Sequence, residues 1–363
     1  MSLEIESFFN KDLPVSSAKY TGMPKYNFIG GNNSKDNIPI NELIESANQT
    51  LKKNGKNLAL YGHNSGPQGN LSLRNFICAY LKDYADMELN TDNVLITSGS
   101  LQALDLVNSI FLKSGDTVLV EEATYGGALS RLKNKGVKYE GIKLTEDGIC
   151  AAHLEDTVKE LNKKNIFPKF LYTIPTVQNP TGTIMSEERR FEILKIAKKY
   201  NFLIFEDDCY ADLIWNRSRP KAFYSLTEDS RVIYCGSFSK SIAPALRIGY
   251  VVAGWKVISK ILSIKNDGGS GAIEQMMLAD FCSKNYKISN LTDRMGMRLE
   301  GTVLKNVVST NIRSEGIVKG SIQVPADGQP IVLLNDHPTI GGYPKIANVI
   351  SADYDLLIQN VPG

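Results

Sequence analysis

The stretch "SFSKSIAPALRIGY", residues 237–250, puts an amine, two hydroxyls and a guanidinium close together in Lys240, Ser237, Ser239 and Arg247. Lys240 is the strongly nucleophilic side chain of the set, and a carbonyl is what an amine attacks. Serine hydroxyls and a bidentate arginine are what a phosphate recruits. Upstream, "TSGSLQALDLVNSIFL" places Ser98, Gly99 and Ser100 ahead of an amphipathic helix with Leu104, Val107 and Phe111 on one face. Amides at a helix start, a glycine for close approach and hydroxyl donors make an anion cradle. Asp207 follows an apolar run and can pair with a positive heterocyclic nitrogen. Asn179 and Tyr210 can hydrogen-bond a phenolic oxygen, and Tyr125 can stack on a ring face.

Each residue also has a plainer reading. A lysine between serines suits a solvated loop. "EDD" at 206–208 can bind Mg²⁺ through carboxylate oxygens, although no second carboxylate pair or phosphate loop accompanies it; otherwise Glu206 and Asp208 read as fold and surface residues. Tyr125 can be core. His63, His153 and His337 have no partners at useful spacing and read as structural. "GHNSGPQG" at 62–69 lacks the terminal Lys-Ser/Thr and the preceding strand of a nucleotide loop.

The elements that must position these residues alternate from about 90 to 255. Apolar β-branched runs predict strands near 117–121, 169–174, 202–206 and 232–235. "SEERRFEILKIAKKY" predicts a helix over 186–200 that starts at Ser186 and buries Phe191, Ile193, Leu194, Ile196 and Ala197. This alternation predicts an α/β domain with a mostly parallel sheet, whose ligands bind beyond the strands' carboxyl ends. Tyr125, Asn179, Asp207, Tyr210 and the 237–240 run all fall just after predicted strands. Residues 1–60 are less regular, with a Gly/Asn-rich loop leading into a helix from about 39. The texture turns Gly- and Pro-rich after 288, so a boundary is placed near 285–290.

Composition narrows the class. The chain has 363 residues, and 41 basic against 39 acidic side chains leave a net charge of +2. That balance gives no general electrostatic reason for nucleic acid or an anionic membrane as partner. The five cysteines are scattered without a C-x-x-C, which argues against a disulfide framework or zinc site and for a reducing, cytoplasmic setting. No signal-peptide pattern opens the chain and no apolar run approaches a membrane span.

A phosphate, a pyridinium, a phenolate and an aldehyde together describe pyridoxal 5′-phosphate. Residues 20–285 resemble the fold-type I, class I/II aminotransferases, in the branch of 2-aminoadipate and aromatic aminotransferases and the aminotransferase-like halves of MocR regulators. The matching segments are "YGHNSGPQGNLSLR", "ITSGSLQALDL", "EEATYGGAL", "YTIPTVQNPTGTIMS", "FEDDCYADLIW" and "SFSKSIAPALRIGYVVAG". The resemblance implies a PLP-binding large domain over 1–288, with 1–40 an irregular arm, and transamination between an α-amino acid and a 2-oxo acid. It implies that Lys240 holds the cofactor as a Schiff base and shuttles a proton, and that Asp207 keeps the pyridine nitrogen protonated. Tyr210 and Asn179 would bind the phenolic oxygen, Tyr125 would stack on the ring, and Ser100, Ser237 and Arg247 would bind phosphate with the amides of Gly99 and Leu101. Leu101 stands where many relatives have glutamine. Tyr61 matches a tyrosine that reaches the phosphate of a neighbouring subunit, which implies a homodimer.

Residues 289–363 read differently. "LTDRMGMRLEG" and "GIVKGSIQVPADGQPIVLLNDHPTIGGYPKIANVISAD" resemble part of the biotin-dependent carboxyltransferase family that includes KipA, a 5-oxoprolinase component. Asp293, Arg294 and Arg298 belong to the first motif; His337, Thr339, Gly341, Gly342, Tyr343 and Lys345 belong to the second. In aminotransferases a small C-terminal domain supplies an arginine for the substrate carboxylate, and no such arginine is found here. Two other functions therefore stand beside transamination: cofactor binding without turnover, and a part in 5-oxoproline hydrolysis with partner subunits. A winged-helix pattern before residue 20 is lacking, which weighs against a MocR-type sensor.

Overall fold

The computed structural model describes residues 5–9, 16–22, 30–34, 38–61, 66–214, 219–267, 269–283, 286–288, 295–304, 315–349, 354 and 357. His63, Asp293, Arg294 and Arg313 lie outside them.

A seven-stranded sheet organises residues 94–252. Its strands are β1 (Val94–Thr97), β2 (Thr117–Glu121), β3 (Lys138–Ile142), β6 (Phe170–Thr173), β7 (Leu203–Asp207), β8 (Val232–Ser237) and β9 (Gly249–Val252), in the order β1-β9-β8-β7-β6-β2-β3. A small hairpin, β4 (Leu144–Thr145) and β5 (Gly148–Ile149), sits apart from it. Only β9 runs against the rest. The expected α/β fold with a mostly parallel sheet is the one observed. β1, β2, β6 and β8 are buried along their whole length, as strands covered on both faces must be.

The helices are α1 (Ile40–Asn54), α2 (Leu71–Ala85), α3 (Ser100–Phe111), α4 (Gly126–Asn134), α5 (Ala151–Lys163), α6 (Glu187–Tyr200), α7 (Trp255–Ile264) and α8 (Ala272–Cys282). Successive strand residues face opposite ways, and the core divides accordingly. Val118, Val120, Phe205 and Ile233 pack with Leu104 and Val107 of α3, Leu132 of α4 and Ile258 of α7. Leu119, Leu171 and Ile204 pack with Leu154 and Val158 of α5 and Ile193 of α6. A third cluster joins Leu73, Ile77 and Leu81 of α2 and Leu278 of α8 to Ile96 and Val252.

The strand direction explains how distant residues meet. β1, β2, β6, β7 and β8 end at one edge with Thr97, Glu121, Thr173, Asp207 and Ser237. Antiparallel β9 begins at that same edge, with Gly249 opposite both Thr97 and Ser237. Arg247, two residues before Gly249, is thereby delivered beside Ser98.

The predicted helix over 186–200 forms, and the Ser186 side chain caps it by accepting from the Arg189 amide. Its stripe differs from expectation. Ile193, Leu194, Ile196 and Ala197 are buried, but Phe191 is 45% exposed. Arg190 takes the inner position instead, donating to the carbonyls of Met185, Pro175 and Lys221 and to Thr176 Oγ1. Glu206 and Asp208 are likewise not surface residues. Glu206 is fully buried, accepts from the Phe223 and Tyr224 amides and lies 3.7 Å from Arg190. Asp208 is buried against Arg219 at 2.5 Å. Apolarity alone misses these positions because paired charges can enter a core.

After α8 an antiparallel sheet forms from β10 (Tyr286–Ile288), β11 (Gly296–Gly301), β14 (Ile331–Leu333), β13 (Ser321–Gln323) and β16 (Lys345–Asn348), in that order. Beside it in the chain, β12 (Glu315–Gly316) pairs with β15 (Ile340–Gly341). No described helix is long and apolar enough to cross a membrane.

Candidate active site

Lys240 lies three residues past the end of β8. Its Nζ donates to the carbonyls of Gly31 at 2.8 Å and Gly30 at 3.1 Å, and stands 5.9 Å from the centre of the Tyr210 ring. Asn33 Nδ2 donates to the carbonyls of Lys240 and Ile242. A piece of the N-terminal segment therefore lies directly on the lysine loop. The sequence showed a Gly/Asn-rich loop there but nothing to say where it goes.

Tyr210 and Asn179 meet as expected, with Asn179 Nδ2 donating to the Tyr210 hydroxyl at 3.0 Å. Burial pushes the Tyr210 phenol above its ordinary pKa, against the Asn179 hydrogen bond. Tyr125 is close enough to Tyr210 to add to that rise; it is partly buried against the core face formed by α3 and α4. The core reading of Tyr125 has a basis in the structure, since the residue packs against that face.

Asp207 closes β7. Its Oδ2 accepts from the Tyr172 hydroxyl at 2.7 Å, while its Oδ1 is buried with no hydrogen-bond partner among the described residues. Burial raises its pKa, opposed by hydrogen bonds from Cys209 and Tyr172. A buried carboxylate oxygen left without a partner costs free energy unless something donates to it. A protonated ring nitrogen is such a donor.

The anion cradle forms in altered detail. Helix α3 begins at Ser100, with Gly99 before it at φ +80°. A Cβ on Gly99 would stand 2.1 Å from Arg247 Nη2, and one on Gly249 would stand 2.7 Å from Gly99 C and Ser100 N. Glycine is required at both places for the backbone and the guanidinium to come together. Arg247 itself sits at φ +53° and donates from Nη2 to Ser98 O at 3.0 Å. Ser237 Oγ donates to Ser239 Oγ, and the Ser239 amide donates back to Ser237 Oγ. Of the two expected amide donors, Gly99 and Leu101, the first is engaged elsewhere, with Gly99 N donating to Thr97 O, and the neighbouring Ser98 N donates to Gln102 Oε1. The amides of Ser100, Leu101 and Gln102 belong to the first turn, where no intrahelical carbonyl is in reach, so the backbone contribution to an anion shifts onto them. Tyr61 is 93% exposed.

Some supporting residues were not singled out from the sequence. Glu121 ends β2 and accepts from Thr173 Oγ1, Ile174 N, Gln178 Nε2 and Thr124 Oγ1. It thereby holds the loop that presents Asn179. Burial lifts its pKa to about 7, against the pull of those four donors. Gln102 links Ser98 N to Asp267, which is paired in turn with the buried Lys265. Neither has a sequence signature, because each acts through contacts between distant segments.

Residues 24–301 match the family model "Aminotransferase class I and II", and 258–363 match "Carboxyltransferase domain, subdomain A and B". The two matches share 258–301. The aromatic-amino-acid aminotransferase 1 of Thermococcus litoralis is 34% identical over 232 residues, 64% of this chain and 55% of that protein. The chain spans about half the length of the curated relatives it matches. Among solved structures, the multiple substrate aminotransferase of Thermococcus profundus aligns with a TM-score of 0.70 at 29% identity, covering 77% of this chain and 71% of that one. The α-aminoadipate aminotransferase LysN of Thermus thermophilus, solved with N-(5′-phosphopyridoxyl)-L-leucine, aligns with a TM-score of 0.64 at 31% identity, covering 70% and 63%. With more than half of its length matched by that family model, the chain belongs to the class I and II aminotransferases.

Proposed function

We propose that this chain binds pyridoxal 5′-phosphate at the strand-end site and supports transamination between an α-amino acid and a 2-oxo acid. The observation that carries the reading is the buried, unpartnered Oδ1 of Asp207, three residues before the Tyr210 that Asn179 engages. When bound, the cofactor supplies an electron sink for the pair left at the substrate Cα. Asp207 keeps a proton on the ring nitrogen. Asn179 and Tyr210 donate to the phenolic oxygen. Ser100, Ser237, Ser239, Arg247 and the first-turn amides of α3, Leu101 included, hold the phosphate. Tyr125 covers a ring face. Lys240, whose Nζ donates to the Gly30 and Gly31 carbonyls here, would hold the cofactor at its aldehyde and would move the proton at the substrate Cα.

We also read the active unit as a homodimer. Exposed Tyr61 supports this, together with the exposed apolar residues Ile40, Ile44, Leu51, Leu58 and Leu60 on and just after α1. The match of 258–363 to a carboxyltransferase domain supports a second reading, a role in 5-oxoproline hydrolysis with partners, although it covers the smaller part of the chain. Cofactor binding without turnover is the third.

Borohydride reduction of the cofactor-loaded chain, followed by peptide mapping, should place the label on Lys240. Label on another lysine, or none, rejects the site. Amino-group transfer to 2-oxoglutarate then separates turnover from binding alone, and light scattering gives the assembly.

A further inference from the structure

Two cysteines that the sequence leaves 26 positions apart meet beneath this site. Cys235 lies on β8 directly beside Asp207 on β7, since the two are paired in register. The Asp208 amide donates to the Cys235 carbonyl, which tightens the end of β7, and the chain turns so that Cys209 returns its sulfur to the same spot. The Asp207 carboxylate and the two sulfurs all lie within 4.8 Å of one another. Cys235 is fully buried, and all three ligand groups lie inside the fold. Asp207 Oδ1 is buried without a hydrogen-bond partner among the described residues, and it is open to an ion as it is to the ring nitrogen.

We infer that Asp207, Cys209 and Cys235 form a binding site for a thiophilic divalent cation in the cofactor-free chain, and that the ion and the cofactor exclude one another there. Two thiolates and a carboxylate are a soft-to-borderline ligand set suited to zinc or cadmium. Two sulfurs on one tetrahedral zinc stand about 3.8 Å apart, given bonds of about 2.3 Å, so the cluster needs little movement to close. The balance is M²⁺ + 2 RSH + RCOO⁻ → [M(SR)₂(OOCR)]⁻ + 2 H⁺. The site carries one negative charge before and after, so binding buries no additional net charge, the term that most often forbids interior ions. The exclusion follows because the ion and the ring nitrogen draw on the same buried Asp207 carboxylate. That part rests on the proposed cofactor reading; the ion site itself does not.

The test uses the full chain freed of cofactor and titrated with Cd²⁺. A thiolate-to-cadmium charge-transfer band should appear in the ultraviolet and be lost in both Cys209→Ser and Cys235→Ala. With Cd²⁺ bound, uptake of pyridoxal phosphate, read as visible absorbance retained after gel filtration, should slow at least tenfold and recover on adding EDTA. Uptake by Cys209→Ser should be unaffected by Cd²⁺. Absence of the band, or a band that survives either substitution, overturns the site. A band with unchanged cofactor uptake, or slowing that EDTA does not reverse, overturns the exclusion. A chain that takes up no cofactor even without Cd²⁺ rejects the functional reading and leaves the band to decide the ion site.

Discussion

Lys240→Ala removes the amine that the structure brings within 5.9 Å of the centre of the Tyr210 ring. Covalent attachment and transamination should both vanish while noncovalent uptake of the cofactor persists, which absorbance before and after denaturation distinguishes. Asp207 and Asp208 make a sharper pair. Asp207→Asn keeps the shape but cannot hold a proton on a ring nitrogen. It should leave the cofactor bound and slow proton transfer by orders of magnitude in stopped-flow traces. Asp208→Asn weakens a buried pair with Arg219. It should cost about 3 kcal/mol of stability in urea denaturation and spare the chemistry. Equal kinetic losses at both positions would contradict these roles. At this scale the sequence was most informative, because Lys240, Asp207, Asn179 and Tyr210 announce themselves by type and by position after strands. Glu121 and Tyr172 did not, since a glutamate or tyrosine ending a strand is commonplace and only the fold shows what it touches.

The elements carry two further expectations. Gly99→Ala puts a Cβ into the Arg247 guanidinium at a left-handed φ. Strain of about 1–2 kcal/mol and a displaced arginine should weaken cofactor affinity at least tenfold. Gly249→Ala collides with the backbone at the head of α3, which cannot swing away, and should destabilise by about 3 kcal/mol. Thermal unfolding and cofactor titration of the two variants check the contrast. Glu121 gives a pH dependence. Its folded pKa of about 7 lies above its ordinary 4.5 because of burial. Between those values the folded chain keeps a proton that the unfolded chain has lost, so Glu121 makes stability fall as pH rises through the window. The wild type should therefore lose up to about 3 kcal/mol relative to Glu121→Gln between pH 4.5 and pH 8, measured by urea denaturation. A constant gap would show that the carboxylate is ionised throughout. Strands β2, β6, β7 and β8 were legible because strands buried on both faces read as apolar runs. Antiparallel β9 was not, since direction leaves no mark in composition. The Phe191 position failed because Arg190, with four hydrogen bonds to give, outcompetes a phenyl ring for the inner face.

At the scale of the whole molecule, the change of texture near 288 was legible as a rise in Gly and Pro, and a separate antiparallel sheet follows it. What texture could not give is where one family's pattern ends, and the two family matches share 258–301. This juncture decides the activity expected of residues 1–363. A substrate held for transamination needs two anchors. The proposed cofactor anchor draws on α3, the 237–240 run and Arg247. The resemblance implies that the substrate carboxylate is held by an arginine from a small C-terminal domain, and residues 302–363 match a carboxyltransferase domain instead. Arg298, on β11, belongs to that second sheet, and nothing in its motif directs it toward Lys240. Loss of a charge-assisted bidentate pair is worth on the order of 2–3 kcal/mol, which corresponds to roughly a hundredfold in KM. The chain should therefore bind the cofactor well and transaminate poorly. Steady-state kinetics on it should be set beside a chimera in which a complete aminotransferase C-terminal domain replaces residues 289–363. The chimera should gain about a hundredfold in kcat/KM through KM, with cofactor affinity unchanged. Equal kcat/KM in the two would place the carboxylate anchor within residues 1–288.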